Sequence, residues 1–130
     1  MKKKVLISTG GSGGHVIPAI TIYNHLKNTH ETLISTDLRG LKYLDKNYKA
    51  FVINTPRLNN YFLLPFSFLK ILFLTVKSFF LLKKRNISIL ISTGGYMSLP
   101  LCLAAKILGI NIFLIEPNMV LGRANKFFLN

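Results

Sequence analysis

Apolar and polar positions along the chain follow two alternating periods. Short apolar runs at Val5–Ser8, Thr32–Thr36, Phe51–Asn54, Ile87–Ser92 and Asn111–Ile115 have the length and branched-residue content of buried strands. Between them lie stretches with helical spacing: Ala19–Lys27, a short Leu38–Lys46, and Leu99–Leu108, which Gly109 stops. Gly122–Leu129 begins another helix. Strands that alternate with helices predict an α/β class, with parallel βαβ units and right-handed crossovers in a doubly wound sheet. Such sheets bind ligands beyond the carboxyl ends of their strands.

One segment breaks the pattern. Tyr61–Leu82 reads YFLLPFSFLKILFLTVKSFFLL, long enough to cross a bilayer, for which roughly 20 apolar residues suffice. Lys70 and Lys77 stand in its interior, where each would cost about 2.5–3.5 kcal/mol near the bilayer centre, and Pro65 interrupts its first turns. Phe62, Phe66, Leu69, Phe73, Val76 and Phe80 advance by alternating steps of four and three, forming a stripe on one helical face. Lys70, Lys77 and Lys84 recur every seven residues along one edge of it. That arrangement suits a helix lying in a membrane interface, with Phe66, Leu69, Phe73 and Phe80 in the acyl boundary and Lys70 and Lys77 reaching phosphates. As a crossover helix it must also bury part of the stripe on the sheet.

Charge sharpens this reading. Seventeen Lys and Arg oppose four acids, Glu31, Asp37, Asp45 and Glu116, for a net charge of +13. Such an excess attracts nucleic acid or anionic lipid. Lys70, Lys77, Lys83, Lys84 and Arg85 sit in or just after the most hydrophobic stretch, which favours a membrane surface. No nucleic-acid motif is present, so nucleic acid is not an expected partner. Lys2–Lys4 resemble the start of a secretion signal, but the apolar run after them is too short, and a cytoplasmic location is expected. The single cysteine, Cys102, cannot form an internal disulfide and reads as a small buried hydrophobe on a helix. At 130 residues the chain holds one domain, and its helical pattern at Asn130 lacks a cap, as expected of a domain truncated at its carboxyl end.

Three strand ends carry unusual residues, and a parallel sheet brings all three to one edge. Thr9-Gly10-Gly11-Ser12-Gly13-Gly14-His15 follows the first strand. Its glycines allow positive φ and close approach of a ligand, and amides at a helix amino terminus favour phosphate or pyrophosphate. Val16 occupies the place of the third glycine in the dinucleotide fingerprint, and the Gly-Lys-Ser/Thr of a P-loop is missing. Ser92-Thr93-Gly94-Gly95-Tyr96-Met97-Ser98 follows a second strand, with Ser98 placed to cap the next helix and Pro100 in its first turn. Glu116-Pro117-Asn118 follows the fifth strand, where a carboxylate needs a partner or a task. His15 offers an imidazole as a general base; His25 and His30, on a helix and at its end, read as structural. No Cys/His cluster has metal-ligand spacing, so no metal site is expected.

Gly10-Gly11-Ser12-Gly13-Gly14-His15-Val16-Ile17-Pro18 and Gly94-Gly95-Tyr96-Met97-Ser98 resemble the GT-B-fold glycosyltransferases that make peptidoglycan lipid II. Glu116-Pro117-Asn118 with Gly122 and Asn125-Lys126 is a looser third match. The resemblance implies a Rossmann-like amino-terminal half of a GT-B fold, residues 1–130, that binds the acceptor. A missing carboxyl-terminal domain would hold UDP-GlcNAc, a donor substrate rather than a tightly bound cofactor. The implied reaction is inverting transfer of N-acetylglucosamine to undecaprenyl-pyrophosphoryl-MurNAc-pentapeptide at the cytoplasmic face of the bacterial inner membrane. By resemblance Ser12, Gly13, Gly14 and Asn118 reach the donor. Gly11, His15, Gly94, Gly95 and Tyr96 line the acceptor side, and His15 and then Glu116 are the candidate bases. Pro117 replaces a usual glutamine, Ile115 a polar residue, and Met119-Val120 a glycine and an apolar residue. The alternative is a non-catalytic membrane-recruiting subunit of a split glycosyltransferase.

Overall fold

The computed structural model describes residues 2–56, 61–118 and 123–129. Five strands, β1 (Lys4–Ser8), β2 (Glu31–Thr36), β3 (Ala50–Val52), β4 (Ile89–Ser92) and β5 (Asn111–Leu114), form one sheet. They alternate with α1 (Gly13–Leu26), α2 (Leu64–Arg85), α3 (Leu99–Ile107) and α4 (Arg123–Phe128). The strand order is β3-β2-β1-β4-β5, and every pairing is parallel. The order reverses between β1 and β4, which makes the gap beyond their carboxyl ends the natural ligand position.

Alternation along β1 explains the layers. Leu6 joins Leu33, Leu82, Leu90, Leu101 and Cys102 in one core cluster, to which α2 and α3 contribute. Val5 and Ile7 join Ala19, Ile34 and Ile91 in a second, to which α1 contributes. A strand buried on both faces needs apolar residues at consecutive positions, which is why Val5–Ile7 shows no polar alternation. Cys102 is fully buried on α3 as expected, and burial pushes its thiol up to about 12 despite a hydrogen bond with Ser92.

Several boundaries differ from the sequence pattern for local reasons. The first helix begins at Gly13, six residues before Ala19, so two glycines and Pro18 lie inside it. Those residues disfavour helix, but the Ser12 carbonyl accepts from the amides of His15 and Val16, and Val16 is fully buried. The expected helix at Leu38–Lys46 contracts to a single 3-10 turn, Gly40–Tyr43. Ser98 precedes α3 but does not cap it; its hydroxyl donates backwards to the Gly95 carbonyl at 2.7 Å. Gly122 and Met119-Val120 lie outside the described residues, as does Asn130.

Helix α2 inverts the usual arrangement of an amphipathic helix. Its inward face is Ser67, Ile71, Leu74, Thr75, Ser78 and Leu82. The phenylalanine stripe faces outward: Phe62, Phe66, Leu69, Phe73, Val76 and Phe80 are all exposed, Phe62 by 92% and Phe73 by 68%. The expectation that part of this stripe packs on the sheet is therefore corrected. A second row, advancing by threes and fours from Ser67 to Leu82, is buried instead, and α3 is the main helical neighbour of α2. Helix α2 is long and apolar enough to cross a membrane. It nonetheless joins two strands of one sheet and places Leu82 in the core at 0% exposure, so it is a packed crossover. Leu82→Ala is expected to lower unfolding stability by about 2–5 kcal/mol, and Phe73→Ala to change it by less than about 0.5 kcal/mol. Urea titration of both variants checks this contrast, and equal losses would mean that the faces are assigned wrongly.

Candidate functional site

The loops after β1, β4 and β5 meet at one sheet edge, as the parallel topology requires. The amide of Thr9 donates to the Ser35 carbonyl, and that of Thr93 to the Ser8 carbonyl, so each loop leaves its strand still tied to a neighbour. The Thr93 hydroxyl donates to the Thr9 hydroxyl at 2.8 Å, locking the first loop to the second.

Two kinds of glycine share the first loop. Gly10 and Gly11 have φ of 151° and 83°, and Gly11 in particular adopts backbone that other residues enter only with strain. Gly13 and Gly14 are helical, so the expectation that all four glycines serve positive φ is corrected. A Cβ on Gly13 would press on the Tyr43 ring at 3.2 Å, whereas one on Gly14 meets only the Ser12 hydroxyl at 3.7 Å. The amides of Gly13 and Gly14 begin α1 with no helical carbonyl behind them. Ser12 is exposed beside them, and its side chain makes no capping bond.

Gly94 and Gly95 mirror the first pair, with φ of 92° and 88°. Buried Met97 wedges between the loops, with its side chain within 3.2 Å of Cβ positions on Gly10, Gly11 and Gly95. Tyr96 is half-buried on the same turn. His15 reaches across from α1, its Nδ1 2.7 Å from the Thr93 carbonyl oxygen. A carbonyl only accepts, so Nδ1 carries the hydrogen of this contact, and in the neutral ring Nε2 is then the nitrogen with the lone pair.

The third loop joins at Gly94. A Cβ there would lie 3.4 Å from the Asn125 amide nitrogen and 3.5 Å from the His15 ring. Asn125, 2% exposed, donates to one Glu116 oxygen at 3.1 Å, while Asn118 donates to the other from its side chain (3.0 Å) and its backbone (3.3 Å). The structure thus brings His15, Gly94 and Glu116 together through Asn125, whose position the sequence marks only as part of a loose motif.

Asp37 is the residue that sequence reasoning missed. One of its oxygens accepts from the Gly11 amide (2.9 Å) and the Gly40 amide (2.8 Å), and the other from Arg39 Nε (3.1 Å). Burial alone would raise its pKa, but the two amides and the guanidinium outweigh burial and hold the carboxyl below its ordinary value. An acid directly after β2, with Gly40 three residues on, was the available signal. Among the described residues no group of His, Cys, Asp and Glu is placed to hold a metal ion.

Residues 5–130 match the family described as glycosyltransferase family 28 N-terminal domain. The chain belongs to that family. This family 28 domain is 54% identical over its whole length to the UDP-N-acetylglucosamine–N-acetylmuramyl-(pentapeptide) pyrophosphoryl-undecaprenol N-acetylglucosamine transferase of Pelagibacter ubique (strain HTCC1062), covering 37% of that protein. It is 36% identical over 97% of its length to the like-named protein of Wolbachia sp. subsp. Brugia malayi (strain TRS), covering 36% of it. The crystal structure of Acinetobacter baumannii MurG matches 98% of the family 28 domain with a TM-score of 0.80 at 25% identity, over 38% of the MurG chain. A glycosyltransferase from Rickettsia africae shares the fold, with a TM-score of 0.72 at 21% identity over 99% of this chain and 34% of its own. The doubly wound sheet is the Rossmann-like half of a GT-B architecture, and it spans little more than a third of the relatives it matches.

Asp37 generates a pH prediction. Because its folded pKa is lowered, its contribution to stability is complete above the unfolded carboxylate value of about 3.9 and is lost as pH falls through the lower folded value. Asp37→Asn should cost about 1–2 kcal/mol at pH 7, the difference between charged and neutral acceptors. Thermal melts of both proteins from pH 7 to pH 3 should converge in acid. A gap that persists unchanged would assign the loss to shape rather than charge.

Proposed function

We propose that residues 1–130 are the acceptor-binding and membrane-facing domain of a glycosyltransferase that acts in peptidoglycan synthesis. The reaction is transfer of N-acetylglucosamine from UDP-GlcNAc to undecaprenyl-pyrophosphoryl-MurNAc-pentapeptide, with inversion at the sugar carbon. Identity of 54% to a protein named for that reaction, over the whole of this chain, carries the reading. In it the missing carboxyl-terminal domain supplies the other wall of the donor site, and the isolated chain binds without turnover.

His15 is the base in this reading. Its Nδ1 proton is committed to the Thr93 carbonyl, leaving Nε2 to take the proton of the attacking acceptor hydroxyl as UDP departs. Glu116 is the weaker candidate, because both its oxygens already accept amide hydrogens from Asn118 and Asn125. It serves instead to order the loop on the acceptor side, with Gly11, Gly94, Gly95 and Tyr96. Ser12, Gly13, Gly14 and Asn118 face the donor, where the first amides of α1 favour phosphate oxygens. The membrane face is the exposed stripe containing Phe66, Leu69, Phe73 and Phe80, bordered by Lys70 and Lys77, and it sets the domain peripherally on the cytoplasmic leaflet.

The test uses the full-length protein. His15→Gln should lower kcat by about 10²–10⁴-fold while vesicle binding persists. Glu116→Gln, which keeps an amide acceptor, should act mainly on KM for the lipid acceptor. Unchanged kcat in His15→Gln would remove the histidine from the chemical step, and failure of the wild type to use lipid I would remove the function.

A further inference from the structure

Helix α2 and the edge strand β3 enclose a groove of about 580 Å³ on the side of the sheet away from β5. Lys70, Lys77 and Lys84 stand along it, about 10.5 Å apart at 1.5 Å per residue. None of the three stands in an ion pair among the described residues, unlike Lys4 with Glu31 and Arg39 with Asp37. Phe51, Val52, Leu74 and Leu81 give the groove apolar walls, and Phe80 links it to the exposed phenylalanine face.

Ser78 adds an unpartnered hydroxyl to the groove. It lines the groove at 1% exposure, and its hydroxyl has no hydrogen-bond partner. A helical serine or threonine can satisfy itself on the carbonyl four residues back, as Thr75 does on Ile71 at 2.8 Å. Ser78 does not, and a buried hydroxyl without a partner costs stability. Unpaired cations, apolar walls and an unpartnered hydroxyl together match a molecule carrying a phosphate at one end and hydrocarbon at the other.

We propose that this groove seats one anionic phospholipid drawn from the bilayer. The phosphodiester lies at the lysine edge, a glycerol-ester oxygen accepts the Ser78 hydroxyl, and an acyl chain follows Phe51, Leu74 and Leu81. Continuity with the phenylalanine face selects a membrane lipid over a soluble phosphate, which has no use for apolar walls. The inference rests on the membrane-facing reading and adds to it a stoichiometric site distinct from general surface adhesion.

The experiment titrates full-length protein with dihexanoyl-phosphatidylglycerol below its micellar concentration, followed by calorimetry. Parallel arms use dihexanoyl-phosphatidylcholine and inorganic phosphate, and a sedimentation assay uses phosphatidylglycerol vesicles. Saturable one-to-one binding of the anionic lipid is expected, weakened about fivefold by Lys77→Gln and about threefold or more by Ser78→Ala, and unaffected by Lys106→Gln on α3. Inorganic phosphate binding equally well would overturn the lipid assignment, as would equal binding of the zwitterionic lipid or indifference to Lys77→Gln. Sedimentation with vesicles but no saturable lipid binding sinks the groove and leaves the membrane reading standing. No sedimentation at all sinks both.

Discussion

Two buried hydroxyls, Thr9 and Thr93, meet at 2.8 Å just past the carboxyl ends of β1 and β4. Everything at the site depends on that contact and on the parallel pairing beneath it. The pairing puts Ser8 opposite Ser92, so the two segments leave the sheet at the same height and run on side by side. Glycines on each side leave room for Met97, which fills the space between the loops where a Cβ on Gly10, Gly11 or Gly95 would stand. His15 then meets the Thr93 carbonyl, which fixes Nδ1 as a nitrogen that carries hydrogen. The chemistry attributed to the imidazole is thus a consequence of how two neighbouring strands end.

Much of this could be read from residue order. Short apolar runs flanked by Gly-Gly pairs located the strands and two of the three loops, because buried parallel strands and positive-φ turns impose local composition. What escaped reading was set by tertiary partners. Asp37 sits 26 residues from Gly11, and nothing at position 37 alone announces that its carboxylate holds that amide. Asn125 is only nine residues from Glu116, but no local pattern announces that its amide donates to that carboxylate. The start of α1 was misjudged because Gly13, Gly14 and Pro18 are poor helix residues individually, yet Val16 and Ala19 are buried and anchor the turn regardless. Ser98 looked like a cap by position, but its hydroxyl found the nearer Gly95 carbonyl.

Helix α2 presents a different problem, since two of its faces carry helical periodicity. The stronger apolar signal belongs to the face turned away from the core. Burial does not follow hydrophobicity alone: serine and threonine at 67, 75 and 78 are buried, while the phenylalanine stripe is exposed. A hydropathy profile ranks the faces in the wrong order, and the topology corrects it. The large outward residues are then left without protein to cover them, the condition under which an apolar surface signals a partner.

The direction of α2 has a geometric consequence. As the crossover between two parallel strands it runs back along the sheet, from the carboxyl edge of β3 to the amino edge of β4. In the proposed placement, with α2 lying flat on a bilayer, the strands would lie nearly flat as well, and the edge bearing the glycine loops would open sideways along the leaflet. The lipid-borne acceptor of the proposed reaction would then arrive within the plane it already occupies, by a search in two dimensions. In the proposed reaction a soluble donor would come from the aqueous side. The two substrates would thus approach the same edge along perpendicular routes, and neither would block the other.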